Sequence, residues 1–357
     1  MSVDTDVAFL ALLVHRGHLD RGQAETLLPE LRREAALDAL LVERIGWDPD
    51  KVARLRRTRA GEIPEIPGYE IQGQLGTGGT ADVFRAREKK TGRTLALKIL
   101  KPECTRAPAV LAAFVNEARL LEKLDHPGLV KGYGVARYGD TYFSRLECIE
   151  GSTLLEMLDL GQPFSEDAAL RAILAAAEVL EYLTQQKVIH RDVKPGNLML
   201  AHDGSIKLID LGFAARPQER KNREDTAVGT VAYLSPEQAQ GGAAADLRSD
   251  VYSLGVTLFH LVVGRLPFES SSDAETLRMQ VMQSLSSSEL KSRGLSPHLH
   301  YFVEKMMAKD AALRYQSWSE LQEDVRAQIE GRERLDFERA GDESETTRRA
   351  PRRRRRF

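Results

Sequence analysis

The sequence predicts an α+β protein preceded by a small all-α module. Three patterns along the chain support this fold class. Residues 1 to about 60 have a helical pattern throughout, strand-like segments follow Tyr69, and helical segments come later, up to about Gln328. Strands that precede helices, instead of alternating with them, are typical of α+β folds. The 357 residues are enough for about two domains.

The first 60 residues contain an internal repeat at an offset of 28 residues. Residues 11–16, Ala-Leu-Leu-Val-His-Arg, match residues 39–44, Ala-Leu-Leu-Val-Glu-Arg. Each copy predicts a helix, a break at a glycine, and a second helix that begins after Asp20 or Asp48. An aspartate at this position accepts hydrogen bonds from the first free N–H groups of the helix. We therefore expect two packed helical hairpins in residues 1–60, either as an interaction or regulatory module or as a folded extension.

Residues 61–68 and 331–357 have the patterns of a linker and a disordered tail. The linker contains two prolines, which disfavour helix in the residues before them. The tail has few apolar residues to bury, and seven arginines lie in its last ten positions. Removing those seven charges from the formal net charge of −2 leaves −9 on the rest of the chain. The tail is then either a solvated charge run or a docking segment for an acidic partner such as nucleic acid or anionic lipid.

The composition is that of a folded globular protein. Apolar residues make up 42% and charged residues 29% of the chain, which excludes collagen, a coiled coil and a wholly disordered chain. The two cysteines, Cys104 and Cys148, have no metal-ligand spacing, which is typical of a reducing compartment. The start of the chain lacks a basic segment, and the longest other apolar stretch, residues 251–264, is shorter than the ~20 residues that cross a bilayer. We therefore expect a cytoplasmic protein without a transmembrane segment.

Residues 76–83, Gly-Thr-Gly-Gly-Thr-Ala-Asp-Val, predict a phosphate-binding loop. Such glycines also occur in dinucleotide-binding folds, which need a helix directly after the loop. Here residues 83–87 and 94–100 have strand patterns instead, so the loop joins strands of a sheet. In the second strand, alternation places Lys98 on the same face as Ala96, where it can meet phosphates.

The next predicted helix, residues 109–124, contains Glu117 within its apolar stripe. An unpaired buried charge costs several kcal/mol, so the carboxylate needs a partner, and Lys98 is the evident candidate. The alternative is a glutamate at the rim of the stripe that reaches solvent.

The most specific signal is His-Arg-Asp-Val-Lys-Pro-Gly-Asn at residues 190–197, followed by Asp-Leu-Gly at 210–212. If these aspartates were ordinary turn residues, nothing would explain Lys194 and Asn197 at their spacings. With the further motifs, the chain resembles the Ser/Thr protein kinase family over about residues 69–328, in particular the eukaryotic-like (Hanks-type) kinases of bacteria. The further motifs are the glycine loop, Lys98, Glu117, Gly-Thr-x-x-Tyr-x-Ser-Pro-Glu at residues 229–237, Asp250 and Arg314.

The resemblance implies a two-lobed kinase fold, with a β-rich N-lobe and a helical C-lobe, that uses ATP and Mg²⁺. Phosphoryl transfer depends on positioning and on the stabilisation of charge, and the implied roles follow that chemistry. By resemblance, Asp192 accepts the proton of the substrate hydroxyl and Lys194 offsets charge on the phosphoryl group. Lys98, held by Glu117, binds the phosphates, and Asn197 and Asp210 bind Mg²⁺.

The resemblance also implies an adenine site. The backbone carbonyl of Glu147 and the N–H of Ile149 would contact the base edge after the gatekeeper Leu146. For the apolar members of the site the alternative is core packing. The remaining implied ATP-binding residues are Leu75, Gly76, Thr77, Gly78, Gly79, Val83, Ala96 and Met199.

Two positions indicate Ser or Thr acceptors in protein substrates: Lys194 after the catalytic aspartate, and Thr230. By resemblance, an arginine directly before the catalytic aspartate, here Arg191, pairs with a phosphorylated activation loop. This predicts autophosphorylation of Thr226. The alternative is an unmodified loop threonine. The resemblance also implies two contacts that support the structure and take no part in the chemistry. Glu237 and Arg314 would form a buried ion pair, and Asp250 would accept backbone N–H groups of the catalytic loop.

Two other functions compete with the protein kinase. A catalytically silent pseudokinase scaffold usually lacks one of the catalytic residues, whereas none is missing here. A small-molecule phosphotransferase of similar fold seldom has the Gly-Thr to Ser-Pro-Glu segment. Ala81, Leu211 and Ser235 depart from the commonest residues of the family, and only Ala81 affects the phosphate loop.

Overall fold

A computed structural model describes residues 3–15, 18–31, 36–59, 64–161, 163–212, 214, 231–241, 245–285 and 294–331. Thr226, part of the predicted linker and the tail beyond Gly331 lie outside these ranges. The chain divides into two compact units. The first comprises Met1–Ile99 with Arg137–Tyr142, and the second comprises Leu100–Ala136 with Phe143–Phe357.

The first unit begins with helices, as the repeat predicts. In the described part of residues 1–60 these are α1 (Val3–His15), α2 (Arg21–Leu31), α3 (Leu37–Glu43) and α4 (Pro49–Arg59). Both predicted aspartate caps are confirmed. The N–H of Gln23 donates to Asp20 Oδ1 at 2.7 Å, and the N–H of Asp50 donates to Asp48 Oδ1 at 2.8 Å.

These helices share a hydrophobic core, and Arg56 of α4 forms ion pairs with the buried Asp6 of α1 and the more exposed Asp38 of α3. Arg56 Nη2 lies 2.5 Å from Asp6 Oδ1 and 2.7 Å from Asp38 Oδ1, and the Arg56 guanidinium lies 4.3 Å from the ring centroid of Phe9. Asp6 Oδ2 also accepts the N–H of Leu37 at 3.3 Å, so a side chain from α1 caps α3. The buried core consists of Phe9, Leu10, Leu13, Leu19, Leu27, Leu31, Leu37, Leu40, Leu41 and Val52.

A five-stranded sheet follows, with the order β1-β2-β3-β5-β4. Its strands are β1 (Tyr69–Thr77), β2 (Ala81–Glu88), β3 (Thr94–Leu100), β4 (Gly132–Tyr138) and β5 (Thr141–Glu147). β1 and β2 are antiparallel, and the glycine loop is the turn between them. The loop therefore joins two strands, as predicted, and the first unit contains the ends of β4 and β5.

The second unit is mainly helical. Its helices are α5 (Pro102–Thr105), α6 (Pro108–Lys123), α7 (Leu154–Asp159), α8 (Glu166–Gln185), α9 (Pro236–Ala239), α10 (Leu247–Val263), α11 (Asp273–Met282), α12 (Pro297–Met306) and α13 (Trp318–Ile329). A small antiparallel sheet contains β6 (Gly151–Thr153), β7 (Leu198–Ala201) and β8 (Ile206–Leu208).

Helix α10 lies at the centre of the second unit and packs against α8 and α12. It begins at Leu247, four residues before the predicted apolar run, because Asp246 caps it by accepting the N–H of Arg248. Asp250 therefore lies in its first turn. The helix ends at Val263 and is capped by Gly264, whose φ of 79° favours glycine. Among the described residues, every helix is too short or too polar to cross a bilayer.

Candidate active site

The catalytic loop holds Asp192 with its two carboxylate oxygens in different surroundings. Lys194 Nζ lies 2.8 Å from Asp192 Oδ2, and Asn197 Nδ2 donates to the same oxygen at 3.0 Å and to the Asp192 carbonyl at 2.8 Å. Asp192 is only 5% exposed, and among the described residues its Oδ1 has no hydrogen-bond partner. Because buried polar atoms are nearly always satisfied, this oxygen is distinctive as an acceptor that is available to a bound group.

Asp250 fixes the backbone of this loop from α10. Its Oδ2 accepts the N–H of His190 at 2.8 Å, and its Oδ1 accepts the N–H of Arg191 at 2.7 Å, as the resemblance implies. Arg191 has a φ of 69°, which is uncommon for a residue other than glycine and needs support. Complete burial raises the pKa of Asp250, although the two N–H groups favour its ionised form.

His190 joins the catalytic loop to the Asp-Leu-Gly segment. The N–H of Asp192 donates to His190 Nδ1 at 3.2 Å, so this nitrogen is the acceptor and Nε2 bears the proton. Nε2 therefore donates to the Asp210 carbonyl, which lies 2.8 Å away. A second hydrogen bond joins the same two segments, because the N–H of Ile209 donates to the Asn197 carbonyl at 3.0 Å.

The carboxylate of Glu117 faces the same segment. On α6, Glu117 is 8% exposed and is buried together with Phe114 and Leu121, so the rim alternative is wrong. A Cβ added at Gly212 would lie 3.0 Å from Asp210 Oδ1 and 3.7 Å from Glu117 Oε2. Lys98, its predicted partner, lies on β3 in the other unit, and their pairing stays a prediction.

Asn197 and Asp210 suit a magnesium ion that is shared with a phosphate group. Within the described ranges no group of three or more His, Cys, Asp or Glu could hold a metal. Mg²⁺, however, is usually held by one or two protein oxygens together with substrate phosphates. Asn197 uses its Nδ2 on Asp192, which leaves its amide oxygen as a ligand, and Asp210 adds a carboxylate. The donor set therefore fits the metal that the sequence implies.

The glycine loop belongs to the first unit. The N–H of Gly78 donates to the Ala81 carbonyl at 2.9 Å, and a Cβ at Gly78 would lie 3.1 Å from that oxygen, so a side chain there would crowd the turn. A Cβ at Gly76 or Gly79 would meet no described atom within 4 Å. Those two glycines leave room for a phosphate to approach the backbone.

The other predicted ATP-binding residues lie on the strands or next to them. In the first unit, Leu75 and Thr77 are exposed on β1, Val83 lies on β2, and Ala96 is buried on β3. In the second unit, Glu147 ends β5, Ile149 follows it, and Met199 lies on β7. The Glu147 side chain pairs with Lys207 at 2.6 Å, and its N–H donates to the Lys131 carbonyl at 2.8 Å. The predicted contact of the Glu147 carbonyl with the base stays a prediction.

A buried ion pair supports the segment after the activation loop. Arg314 is buried, and its Nη1 and Nη2 lie 2.8 and 2.9 Å from the two carboxylate oxygens of Glu237. Burial alone would raise the pKa of Glu237, but hydrogen bonds from Arg314 and Ser249 lower it to about 2. The ion pair implied by the resemblance is confirmed.

Sequence reasoning missed three side chains that hold residues 231–235. Ser253 Oγ donates to the Tyr233 carbonyl at 2.7 Å, and Tyr233 OH lies 2.7 Å from His260 Nδ1. Gln280 Nε2 donates to the Ala232 carbonyl. For Ser253 and His260 the available signal was their place as polar residues within the apolar helix α10, whereas Gln280 on α11 gave no such signal.

Comparison with known proteins agrees with this geometry. Residues 69–325 match the family described as protein kinase domain. The probable serine/threonine-protein kinase SCO3848 of Streptomyces coelicolor is 34% identical over 273 residues, which are 74% of this chain and 40% of that protein. Serine/threonine-protein kinase PrkC of Bacillus subtilis is 31% identical over 72% of this chain and 40% of its own length. For PknB of Mycobacterium tuberculosis the identity is 33%, over 72% of this chain and 42% of PknB.

The chain thus spans about two fifths of the length of these bacterial relatives. The family match covers the five-stranded sheet and the helices of the second unit as far as residue 325 in α13, and it confirms the predicted fold class. Since this match extends over well more than half of the chain and includes every motif described above, the chain belongs to the protein kinase domain family.

Proposed function

We propose that this protein transfers the γ-phosphate of ATP to serine and threonine hydroxyls of protein substrates. The arrangement of Asp192 is the observation that supports this function most directly. Two donors, Lys194 and Asn197, occupy one carboxylate oxygen, and the other is buried without a partner among the described residues. A carboxylate in this state can accept the proton of an incoming hydroxyl.

The reaction follows from these contacts. The acceptor hydroxyl donates to Asp192 Oδ1, which orients its oxygen toward the γ-phosphorus. As the new O–P bond forms, the hydroxyl proton passes to Asp192 and the bond to the ADP oxygen breaks. Lys194, paired with Asp192 at 2.8 Å, places a positive charge beside the phosphoryl group in transfer.

The remaining predicted residues would bind the nucleotide. Mg²⁺, held by Asn197 and Asp210, would neutralise phosphate charge. Lys98, oriented by Glu117, would bind the phosphates beneath the glycine loop. The adenine would lie against the predicted apolar residues and hinge main chain, namely Leu75, Val83, Ala96, Met199, Glu147 and Ile149.

The names of the relatives favour Ser and Thr as acceptors, in agreement with Lys194. We further propose that Thr226 is autophosphorylated and pairs with Arg191, whose Nε is buried without a partner in the described chain. A Thr226→Ala protein should then have lower peptide kinase activity than the parent. Equal activity of the two would contradict the pairing.

The helices α1–α4 have their own core, which supports a protein-interaction or regulatory module in a signalling kinase. Deletion of residues 1–60 should then change activity or self-association. The Arg-rich tail would bind an acidic partner, and salt-sensitive binding should disappear on truncation after Ala340. Neither cysteine, Cys104 or Cys148, forms a disulfide, which supports a cytoplasmic location.

Incubation with γ-labelled Mg·ATP and a generic acceptor protein such as casein tests the proposed activity. The parent should incorporate label that phosphoamino acid analysis finds on serine and threonine. Asp192→Asn should incorporate little or none, and Asp203→Asn, the same change at an exposed turn, is the matched control and should behave like the parent. A parent protein that binds Mg·ATP but incorporates no phosphate would be a pseudokinase scaffold.

A further inference from the structure

A chain of buried polar side chains connects Lys309 to residues 231–235, which we call the acceptor segment. Lys309 Nζ donates to Tyr252 OH at 2.8 Å, and Tyr252 OH donates to Gln280 Oε1 at 2.6 Å. Gln280 Nε2 then donates to the carbonyl oxygen of Ala232. Gln280 and Tyr252 are both 0% exposed, so water cannot replace these contacts.

Each hydrogen bond in this chain has a defined direction. Burial and the nearby charge of Arg314 lower the pKa of Lys309 to about 8, so at neutral pH Lys309 is largely an ammonium group, which can only donate. Tyr252 OH accepts from Lys309 and therefore directs its single proton at Gln280 Oε1. The Gln280 amide is thereby oriented with its Nε2 toward Ala232. Lys309 Nζ also donates to the Gln280 main-chain carbonyl at 2.7 Å, which fixes this part of α11.

The acceptor segment depends on such side chains because its own backbone supports it weakly. Val231–Tyr233 form a single 3₁₀ turn, and the main-chain hydrogen bond that closes it, from Leu234 N to Val231 O, is long at 3.3 Å. The next two carbonyls, of Ala232 and Tyr233, accept from the side chains of Gln280 and Ser253. Helices α10 and α11 therefore set the position of the segment.

We propose that Gln280 is a positioning residue for the acceptor substrate. This rests on the proposed function: the residue chain that follows the segment is joined to the catalytic loop, since Gln238 Nε2 donates to the Arg191 carbonyl at 3.1 Å, and we place the acceptor peptide beside that loop. None of the described hydrogen bonds of Gln280 reaches a residue assigned to ATP or Mg²⁺. Loss of the Gln280 amide should therefore weaken acceptor binding and leave ATP binding unchanged.

Gln280→Leu tests the proposal by steady-state kinetics with a peptide acceptor and with Mg·ATP. Loss of one hydrogen bond at the segment should raise the acceptor KM by about 3- to 10-fold, whereas the KM for ATP should stay within about 2-fold. Gln322→Leu is the matched control, because Gln322 is also buried, at 4% exposure, and donates to Glu181 Oε2 at 2.9 Å on α8. It should leave both KM values unchanged even where it lowers the melting temperature.

Tyr252→Phe gives a second variant if Gln280→Leu fails to fold. It keeps the Gln280 side chain but removes the hydroxyl that orients its amide, and it should raise the acceptor KM by a smaller factor. Acceptor KM values equal to the parent's in a folded Gln280→Leu or Tyr252→Phe protein overturn the proposal.

Amide hydrogen exchange separates this proposal from the proposed kinase activity. Should the parent transfer no phosphate, the proposed function fails, yet the segment can still be measured. Exchange at residues 231–241 should be faster in Gln280→Leu than in Gln322→Leu. Equal exchange in the two variants overturns the positioning role without any assay of activity.

Discussion

Lys194 Nζ lies 2.8 Å from Asp192 Oδ2, and this ion pair makes the two oxygens of the Asp192 carboxylate differ in their hydrogen-bond partners. Oδ2 is held by Lys194 and by Asn197, whereas Oδ1 has no partner among the residues that the structure describes. The ion pair therefore orients the carboxylate as well as placing a positive charge next to it.

Replacement of Lys194 by methionine should lower kcat by at least about 10-fold, because it removes both the orientation of Asp192 and the charge beside the phosphoryl group. The KM for ATP should change little. Steady-state kinetics measure both quantities, and Lys187→Met, at an exposed position, serves as the control. Parent-like kcat in the Lys194→Met protein would contradict the role given to this ion pair.

Asp250→Asn should destabilise the backbone conformation of the catalytic loop. An amide has only one accepting oxygen, so the N–H of His190 or of Arg191 would lose its acceptor, at a cost of about 1–3 kcal/mol. Arg191 would also lose support for its left-handed backbone. We expect a lower free energy of unfolding in urea and a kcat reduced by at least about 10-fold. Asp140→Asn, at a fully exposed ion pair, should change neither quantity.

The stability of the protein should fall in acid because of Glu237. Its pKa is lowered from 4.5 to about 2 in the folded state, so its contribution is complete above about pH 4.5 and is lost as the pH falls toward 2. The linked free energy is on the order of 3 kcal/mol. Urea unfolding between pH 6 and pH 3 should show a shallower dependence in Glu237→Gln than in the parent. Identical slopes would show that the ion pair with Arg314 does not cause this sensitivity.

Arg56→Met should destabilise the N-terminal helices by about 3–5 kcal/mol, because it leaves Asp6 buried without a cation. Amide exchange in residues 3–59 should become faster, and the double variant with Asp6→Asn should recover part of the loss. The exposed pair of Arg44 and Glu30 provides the comparison, since Arg44→Met should cost less than about 1 kcal/mol. Equal effects of the two arginine changes would contradict the importance of burial.

Local patterns in the sequence predicted much of the fold. Strand β3 has the predicted bounds, Thr94–Leu100, because the alternation of its side chains and the turn before it are both local signals. The aspartate caps of α2 and α4 were found for the same reason. The start of α10, by contrast, lies four residues before the apolar stretch 251–264, because its first turn is polar and its cap, Asp246, precedes that stretch.

The candidate site was predicted as far as motifs and spacing extend. The contacts of Asp250 with His190 and Arg191 followed from the resemblance to kinases. The contact of Gln280 with Ala232 did not, because the two residues are 48 positions apart and meet only through the packing of α11. A glutamine in a largely polar helix such as α11 has no sequence signal that distinguishes a buried donor from a solvated one.

The central claim is that the Asp192 carboxylate activates the acceptor hydroxyl, and the kcat of Asp192→Asn tests it most directly. The asparagine keeps the size of the side chain but cannot take up the proton. At saturating Mg·ATP and acceptor peptide, kcat should fall by at least about 100-fold while the dissociation constant for ATP stays unchanged. An Asp192→Asn protein that transfers phosphate at the rate of the parent would contradict the account.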